Sequence, residues 1–386
     1  MSSVVGPIHD VIRFDPALAG RRDVTSDDGE RWRQVADAPA PLGTSPHSQL
    51  ESPLEIRQVS FFDLRDLRRV HHILRLHQPE VQLMPYSPLR GAVVAAAPGL
   101  RARHPFVIVR DQRHLLGFAH FQPVGPDQRW QLLAVGAATP DDSAIAVWDA
   151  SLTYGVRSAG LRGVKRLYAR APRGSAIGAA LRAVAWQPYA SETIFAAYDF
   201  TPGLVAHSIR PQGRSDTWSI HQLYNAAVPR DVHYAEAFTS HRWEIPARRG
   251  RIDPIVQGWI AEEDHHAIGY ARMASNNGTH ALEAVYEPGR ADCLPALLDA
   301  AVAGLATPRI RRLYCSVRGY QAELASVLQA RGFAAVLEQD LHVKYTTVQV
   351  RAPAVDAVPF HVEVRDVLPK RVPSFLHGPS RDDLAT

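Results

Sequence analysis

The sequence is poor in cysteine and contains no long apolar run. Its two cysteines, Cys293 and Cys315, are too few for a disulfide framework or a cysteine-based metal cluster. No apolar stretch approaches the roughly 18 residues that a membrane-spanning helix requires, and the first residues have no apolar core of a secretory signal. We interpret the acidic residues and histidines of Glu262–His266 as a solvated hairpin turn rather than as metal ligands. We therefore expect a cytoplasmic protein with no membrane partner and no metal centre.

Lysine is nearly absent as well. Only three lysines stand among the 43 basic residues, and the net charge is +4. The arginines are scattered along the chain instead of forming a stripe, so we attribute them to the composition of a GC-rich genome. A basic groove for nucleic acid is the minor alternative.

The chain carries an internal repeat that is as long as a domain. Arg166-Leu167-Tyr168 recurs as Arg312-Leu313-Tyr314, a shift of 146 residues (312 − 166), and in each copy the motif opens a strand–helix–strand unit. Upstream, Leu115–Phe121 (LLGFAHF) matches Ala267–Met273 (AIGYARM). A repeat of about 150 residues is too long for a solenoid unit and fits a whole domain.

The repeat and its flanking sequences divide the chain into five segments. We predict a disordered N-terminal segment at 1–53, an N-terminal domain at 54–200, a linker at 201–203, a C-terminal domain at 204–352 and a tail at 353–386. The first and last segments show no apolar periodicity that could stabilise an ordered structure.

Apolar periodicity predicts most helices and strands within the two domains. Leu64, Leu67, Val70 and Leu74 recur at helical spacing, which predicts a helix over Phe61–Leu76. The same reasoning predicts a helix over Asp231–Trp243 and another over Cys293–Leu305. Near the end of the C-terminal domain it predicts two separate strands, Ala335–Glu338 and Leu341–Val350.

The order of elements resembles one known family. Each half runs strand, helix, short helix, three antiparallel strands, helix, strand, helix and final strand. This order, with the leucine-rich helix and the Ala-Arg-Gly-Phe ending at Phe333, resembles the GCN5-related N-acetyltransferase (GNAT) superfamily. The resemblance implies a mixed α/β fold of two tandem acyl-CoA N-acyltransferase domains, of which the N-terminal one is degenerate.

The resemblance also implies a place for the co-substrate, acetyl-CoA or another acyl-CoA. In the family, a gap between the fourth and fifth strands admits the pantetheine arm, and backbone N–H groups of the following glycine-rich loop bind the pyrophosphate. The residues of this sequence that match those positions are Ala284, Val285, Gly289, Arg290, Ala291 and Ser316.

Both copies depart from the family at this loop. The paired glycines are missing from the C-terminal copy, which has Asp292 and a proline without an N–H, Pro295, instead. The N-terminal copy has Asp141 and Asp142, which would repel a pyrophosphate. The family's tyrosine acid is replaced by Leu328.

Two residues remain as candidates for the chemistry. Glu283 lies on the fourth strand, where several family members place a general base, and we expect His280 on the same face. Tyr320 stands where the fifth strand meets the next helix and could replace the missing tyrosine. The structural alternatives are a solvated strand carboxylate for Glu283, a strand-end histidine for His280 and a surface tyrosine for Tyr320.

Two functions remain open at this stage. The first is transfer of an acyl group from acyl-CoA to a small-molecule or peptide amine by a monomer or homodimer. The second is a non-catalytic binding or scaffolding module for a small ligand or a protein, which the composition of the two loops favours.

Overall fold

The structure is a computed structural model. It describes residues 54–76, 86–97, 105–112, 114–124, 128–140, 142–198, 200, 209–246, 254–276, 278–305 and 312–346. The predictions for 1–53, the linker 201–203 and the tail 353–386 lie outside these ranges. Within them, no helix is long and apolar enough to cross a membrane.

One 13-stranded sheet runs through the described chain. In chain order its strands are β1 Glu55–Gln58, β2 His72–Arg75, β3 Phe106–Arg110, β4 Leu115–Val124, β5 Arg129–Ala137, β6 Arg166–Pro172, β7 Gln187–Ala197, β8 Ile209–Pro211, β9 Ile255–Glu263, β10 His266–Asn276, β11 Thr279–Tyr286, β12 Arg312–Arg318 and β13 Ala334–Tyr345. The spatial order is β1-β3-β4-β5-β6-β13-β7-β12-β11-β10-β9-β8, and β2 pairs with β5 off this path.

Helices cover both faces of the sheet. The α-helices are α1 Pro88–Ala96, α2 Asp142–Leu161, α3 Ala176–Ala183, α4 Thr217–Ala227, α5 Arg230–Glu236, α6 Leu294–Ala303 and α7 Ala322–Ala330. In the N-terminal half, α2 and α3 bury Trp148, Leu152 and Leu181 in one core. In the C-terminal half, Leu297 of α6 and Leu328 of α7 form the equivalent core. The opposite face of the C-terminal half packs against α4 and α5.

The two halves repeat one strand arrangement, as the sequence predicted. Antiparallel β3-β4-β5 is followed by the parallel pair β5–β6, and antiparallel β9-β10-β11 by the parallel pair β11–β12. The mixed α/β class is therefore confirmed. Each half is completed by the other half's final strand, because β13 pairs with β6 while β7 pairs with β12. The boundaries at residues 200 and 204 stay a prediction.

An arginine–aspartate pair marks the start of both halves. Arg57 donates to both carboxylate oxygens of Asp63 at 2.6 and 2.8 Å, and Arg210 does the same to Asp216 at 2.7 and 2.9 Å. In both pairs the aspartate also accepts a backbone N–H three residues upstream, at 2.8 Å from Ser60 and 2.6 Å from Gly213. This shared six-residue spacing is a second signature of the repeat, which our sequence reading missed.

The predicted helix over Phe61–Leu76 is wrong. The chain forms two short 3-10 helices, Phe61–Asp63 and Asp66–Arg69, and then the strand β2. β2 pairs antiparallel with residues 134–137 of β5, whereas a helix would have used backbone hydrogen bonds within the segment. Helical spacing of its leucines could not reveal that partner, because the partner lies some 60 residues away in the sequence.

Two further boundaries differ from the prediction. The helix predicted over Asp231–Trp243 ends at Glu236, because Ala237 adopts a left-handed conformation with φ of +42°, and a 3-10 helix follows at Ser240–Trp243. The two predicted final strands are one strand, β13, whose register with β7 shifts twice and so interrupts the alternation of side chains.

Candidate active site

The parallel pair β11–β12 separates before its strands end. Ladder pairing runs from Thr279 with Arg312 to Glu283 with Ser316 and stops there. Beyond that point lies a narrow cavity of about 20 Å³, with room for little more than one water molecule. It lies between the fourth and fifth strands of the C-terminal half, and we call it the β11–β12 cavity.

Five of the eight predicted site residues line this cavity, namely Glu283, Ala284, Val285, Ser316 and Tyr320. The remaining three, Gly289, Arg290 and Ala291, lie in the loop after β11 and are not among the lining residues. The cavity is completed by residues that the sequence analysis did not single out, namely Tyr224, Val228, Glu236, Arg318 and Gln321.

Strand alternation decides what Glu283 faces. Leu282 and Ala284 pack into the core under α6, whereas Val285 packs on the opposite face with α4 and α5. Glu283 shares the face of Val285. His280 lies on the other face, contrary to our expectation, because it is three positions before Glu283 and an odd offset reverses the face. The residue is 2% exposed, and its Nδ1 lies 2.8 Å from the Ser275 hydroxyl.

Glu283 is held as a carboxylate by arginines. Arg242 donates to its Oε2 at 2.7 Å, and the Arg242 carbonyl in turn accepts a hydrogen bond from Arg272 at 2.7 Å. Burial alone would raise the pKa of Glu283, but the charges of four arginines outweigh it and bring the pKa below its usual value; they are Arg242, Arg272, Arg318 and Arg170. The group can accept a proton at neutral pH, although a lowered pKa makes it a weaker base.

Tyr320 offers the complementary group. It lines the cavity, and burial raises the pKa of its phenol, with the nearby Glu236 and Glu283 adding to the shift and Arg318 opposing it. The side chain therefore keeps its proton at neutral pH and can donate it.

A buried ion cluster forms the inner wall of the cavity. Arg318 donates to Glu236 at 3.0 Å and lies 3.5 Å from Glu192, and both glutamates are almost fully buried. Tyr224 also donates to Glu236, at 2.7 Å. No local sequence pattern signalled this cluster, because it joins β7, α5 and β12, whose members are 44 to 126 residues apart (236 − 192 and 318 − 192).

The loop after β11 is partly engaged with itself. Gly289 has φ of +86°, as the turn requires. The N–H groups of Arg290, Cys293 and Leu294 donate to backbone carbonyls of the loop. The Arg290 guanidinium is ion-paired with Glu263 and lies 3.5 Å from Asp292. The charged residue of the predicted pyrophosphate cradle is therefore already paired with carboxylates.

The gap of the C-terminal half is bridged by one side chain. The Gln321 carboxamide donates through Nε2 to the Ala284 carbonyl at 2.8 Å, and its Oε1 accepts from the backbone N–H of Arg318 at 3.0 Å. One amide thus joins β11 to β12 beyond the last ladder pair.

The gap of the N-terminal half is filled by main chain. Pairing of β5 with β6 ends at Gln131 and Tyr168, and β2 occupies the free edge of β5 beyond it. The N–H of Leu76 then donates to Leu133 at 2.8 Å, and its carbonyl accepts from Arg170 at 3.0 Å. A backbone amide here makes the bridge that a side-chain amide makes in the C-terminal half.

Comparisons with known proteins give a likeness in fold. No family model and no curated protein matches the chain. Among solved structures, a tandem GNAT protein from the clavulanic acid biosynthesis pathway has 14% identity and a TM-score of 0.45, and the match covers 77% of this chain and 100% of that one. A GCN5-related N-acetyltransferase from Sphaerobacter thermophilus has 10% identity and a TM-score of 0.47, covering 77% and 97%. A GCN5-related N-acetyltransferase from Anabaena variabilis has 11% identity and a TM-score of 0.42, and the match covers 76% of this chain and 73% of that one. Such a likeness in chain path does not define chemistry.

Proposed function

We propose that the chain is an acyl-CoA-dependent N-acyltransferase and that the C-terminal half carries the reaction. The observation that supports this most is the convergence of Glu283, Ala284, Val285, Ser316 and Tyr320 on one cavity where the parallel ladder ends. The N-terminal half would serve as a partner domain, because β2 fills the corresponding gap between β5 and β6. The acceptor is an amine that reaches the cavity from the side of α4 and α5.

The residues fit one part of acyl-CoA better than the other. The Ala284 carbonyl already accepts an amide N–H, so this edge of β11 suits the amides of a pantetheine arm. The loop after β11 offers little to a pyrophosphate, because Arg290 is ion-paired and Pro295 has no N–H. We therefore expect binding in the micromolar range or weaker, about −8 kcal/mol at best.

Two side chains would move the protons. Acyl-CoA supplies an acyl group activated as a thioester, to whose carbonyl carbon the acceptor amine adds. Glu283 takes the proton that the amine loses, directly or through a water, and later releases it to solvent. Tyr320 gives its phenolic proton to the sulfur as the carbon–sulfur bond breaks, so that an amide and free CoA leave, and solvent reprotonates the phenolate.

The experiment is turnover by the full chain with acetyl-CoA and a panel of amines, measured as release of free thiol. We expect Glu283→Gln to keep acetyl-CoA binding, measured by calorimetry, and to slow transfer about 10²–10⁴-fold, the usual effect of losing a general base. Glu338→Gln is the matched control, since Glu338 is an exposed strand glutamate that does not line the cavity. Equal slowing in both variants would remove Glu283 from the mechanism.

A non-catalytic binding module is the second candidate. The ion-paired Arg290 and the engaged N–H groups of Arg290 and Cys293 in the loop after β11 favour it, because each is one contact fewer for a nucleotide. The calorimetry separates the two candidates. Absence of acetyl-CoA binding at millimolar ligand would reject the enzyme and leave the binding module.

A further inference from the structure

Gln321 is unusual in bridging two strands through its side chain alone. It is 6% exposed, and its two carboxamide hydrogen bonds reach β11 and β12 at 2.8 and 3.0 Å. The residue stands at the N-cap of α7, with φ of −108° and ψ of 52°. Its own N–H donates to the Arg318 carbonyl at 2.8 Å, and its carbonyl accepts from Ala325 at 3.3 Å. These backbone bonds do not involve the side chain, so they do not depend on the carboxamide.

The two halves differ in how firmly their gaps are closed. In the N-terminal half the bridge belongs to Leu76, at the end of a strand whose four residues pair with β5, so opening would require that strand to detach. In the C-terminal half the bridge is a single side chain, whose rotation would break both hydrogen bonds. The second bridge can therefore break without any strand leaving the sheet.

We propose that Gln321 is a displaceable lock on the β11–β12 cavity, and that the pantetheine arm binds by taking over its hydrogen bonds. This inference rests on the proposed function. A pantetheine arm contains amides with the same donor and acceptor as the Gln321 carboxamide. The buried Ala284 carbonyl would then have an amide partner in both the closed and the open state.

The lock weakens apparent affinity by a predictable route. When only a fraction of the molecules is open, the apparent dissociation constant is the intrinsic one divided by that fraction. Loss of the Gln321 hydrogen bonds should raise the open fraction. We expect Gln321→Ala to bind acetyl-CoA about tenfold more tightly than the natural chain. The two hydrogen bonds that hold the closed state should change the ratio of open to closed molecules by about that factor or more.

Calorimetry on the full chain with two probes tests the lock. Acetyl-CoA reports the whole ligand, and pantetheine alone reports the arm without the nucleotide. Gln321→Ala should tighten binding of both by the same factor while lowering the melting temperature of the ligand-free protein. Gln321→Glu keeps an acceptor for Arg318 but cannot donate to Ala284, so a smaller gain is expected. Gln329→Ala is the control, because Gln329 is exposed on the same helix.

Each outcome decides a different point. If the natural chain binds acetyl-CoA and Gln321→Ala binds it equally or more weakly, the lock is overturned and the proposed function stands. If only Gln321→Ala binds, the lock is supported and the natural chain is not a CoA enzyme. If neither binds at millimolar ligand, both proposals fall. A purely structural Gln321 would lower the melting temperature without any gain in affinity.

Discussion

Removal of Arg318 should destabilise the protein strongly. Arg318 donates to Glu236 at 3.0 Å, with side-chain exposures of 11% and 4%, so this is a buried ion pair. Arg318→Met leaves the Glu236 carboxylate without its cation but with the hydroxyls of Tyr224 and Tyr189 at 2.7 and 3.3 Å. Breaking a buried pair from one side costs about 3–5 kcal/mol, and the remaining hydroxyls favour the lower end.

Urea unfolding of the full chain at neutral pH measures the loss of stability. The double variant Arg318→Met with Glu236→Gln should recover much of that loss, because the carboxylate that Arg318→Met leaves without its cation is then gone. Arg173→Met is the control, because Arg173 forms an exposed pair with Glu338 at 2.9 Å and such pairs contribute about 0–1 kcal/mol. A loss below about 1 kcal/mol for Arg318→Met would refute this account of the cluster.

Three other predictions concern the site and the core. Calorimetry should find one acyl-CoA per chain, since β2 fills the second gap, and two equal sites would contradict this. Gly155→Ala should cost about 1–3 kcal/mol of unfolding free energy, because its Cβ would lie 2.4 Å from the fully buried Phe121 ring. On the same helix Gly160→Ala has room, with 3.7 Å to its nearest neighbour, and should be neutral or stabilise by up to about 1 kcal/mol; the reverse ranking in thermal unfolding would count against this packing. Replacement of Glu283 by glutamine should slow transfer without loss of binding, as single-turnover kinetics would show.

Much of the fold could be predicted because its signals are local. Alternating apolar residues marked the hairpins β3–β4 and β9–β10, and the leucine stripe marked α6. The repeat of Arg-Leu-Tyr placed the two parallel strands β6 and β12, whose partners β5 and β11 then located the gap. Glu283 and Tyr320 could be named in advance because they lie on these local elements, next to that gap.

The sequence by itself determined the identity and order of most elements, and therefore the position of the candidate cavity. Only the tertiary structure decided that 72–75 is a strand, that β7 and β13 complete each other's halves, and that Glu192, Glu236 and Arg318 meet. It also decided that Gln321 bridges the gap. Periodicity shows which face of a segment is apolar. These features instead depend on which strand edge or charge, distant in the sequence, becomes the partner when the chain folds.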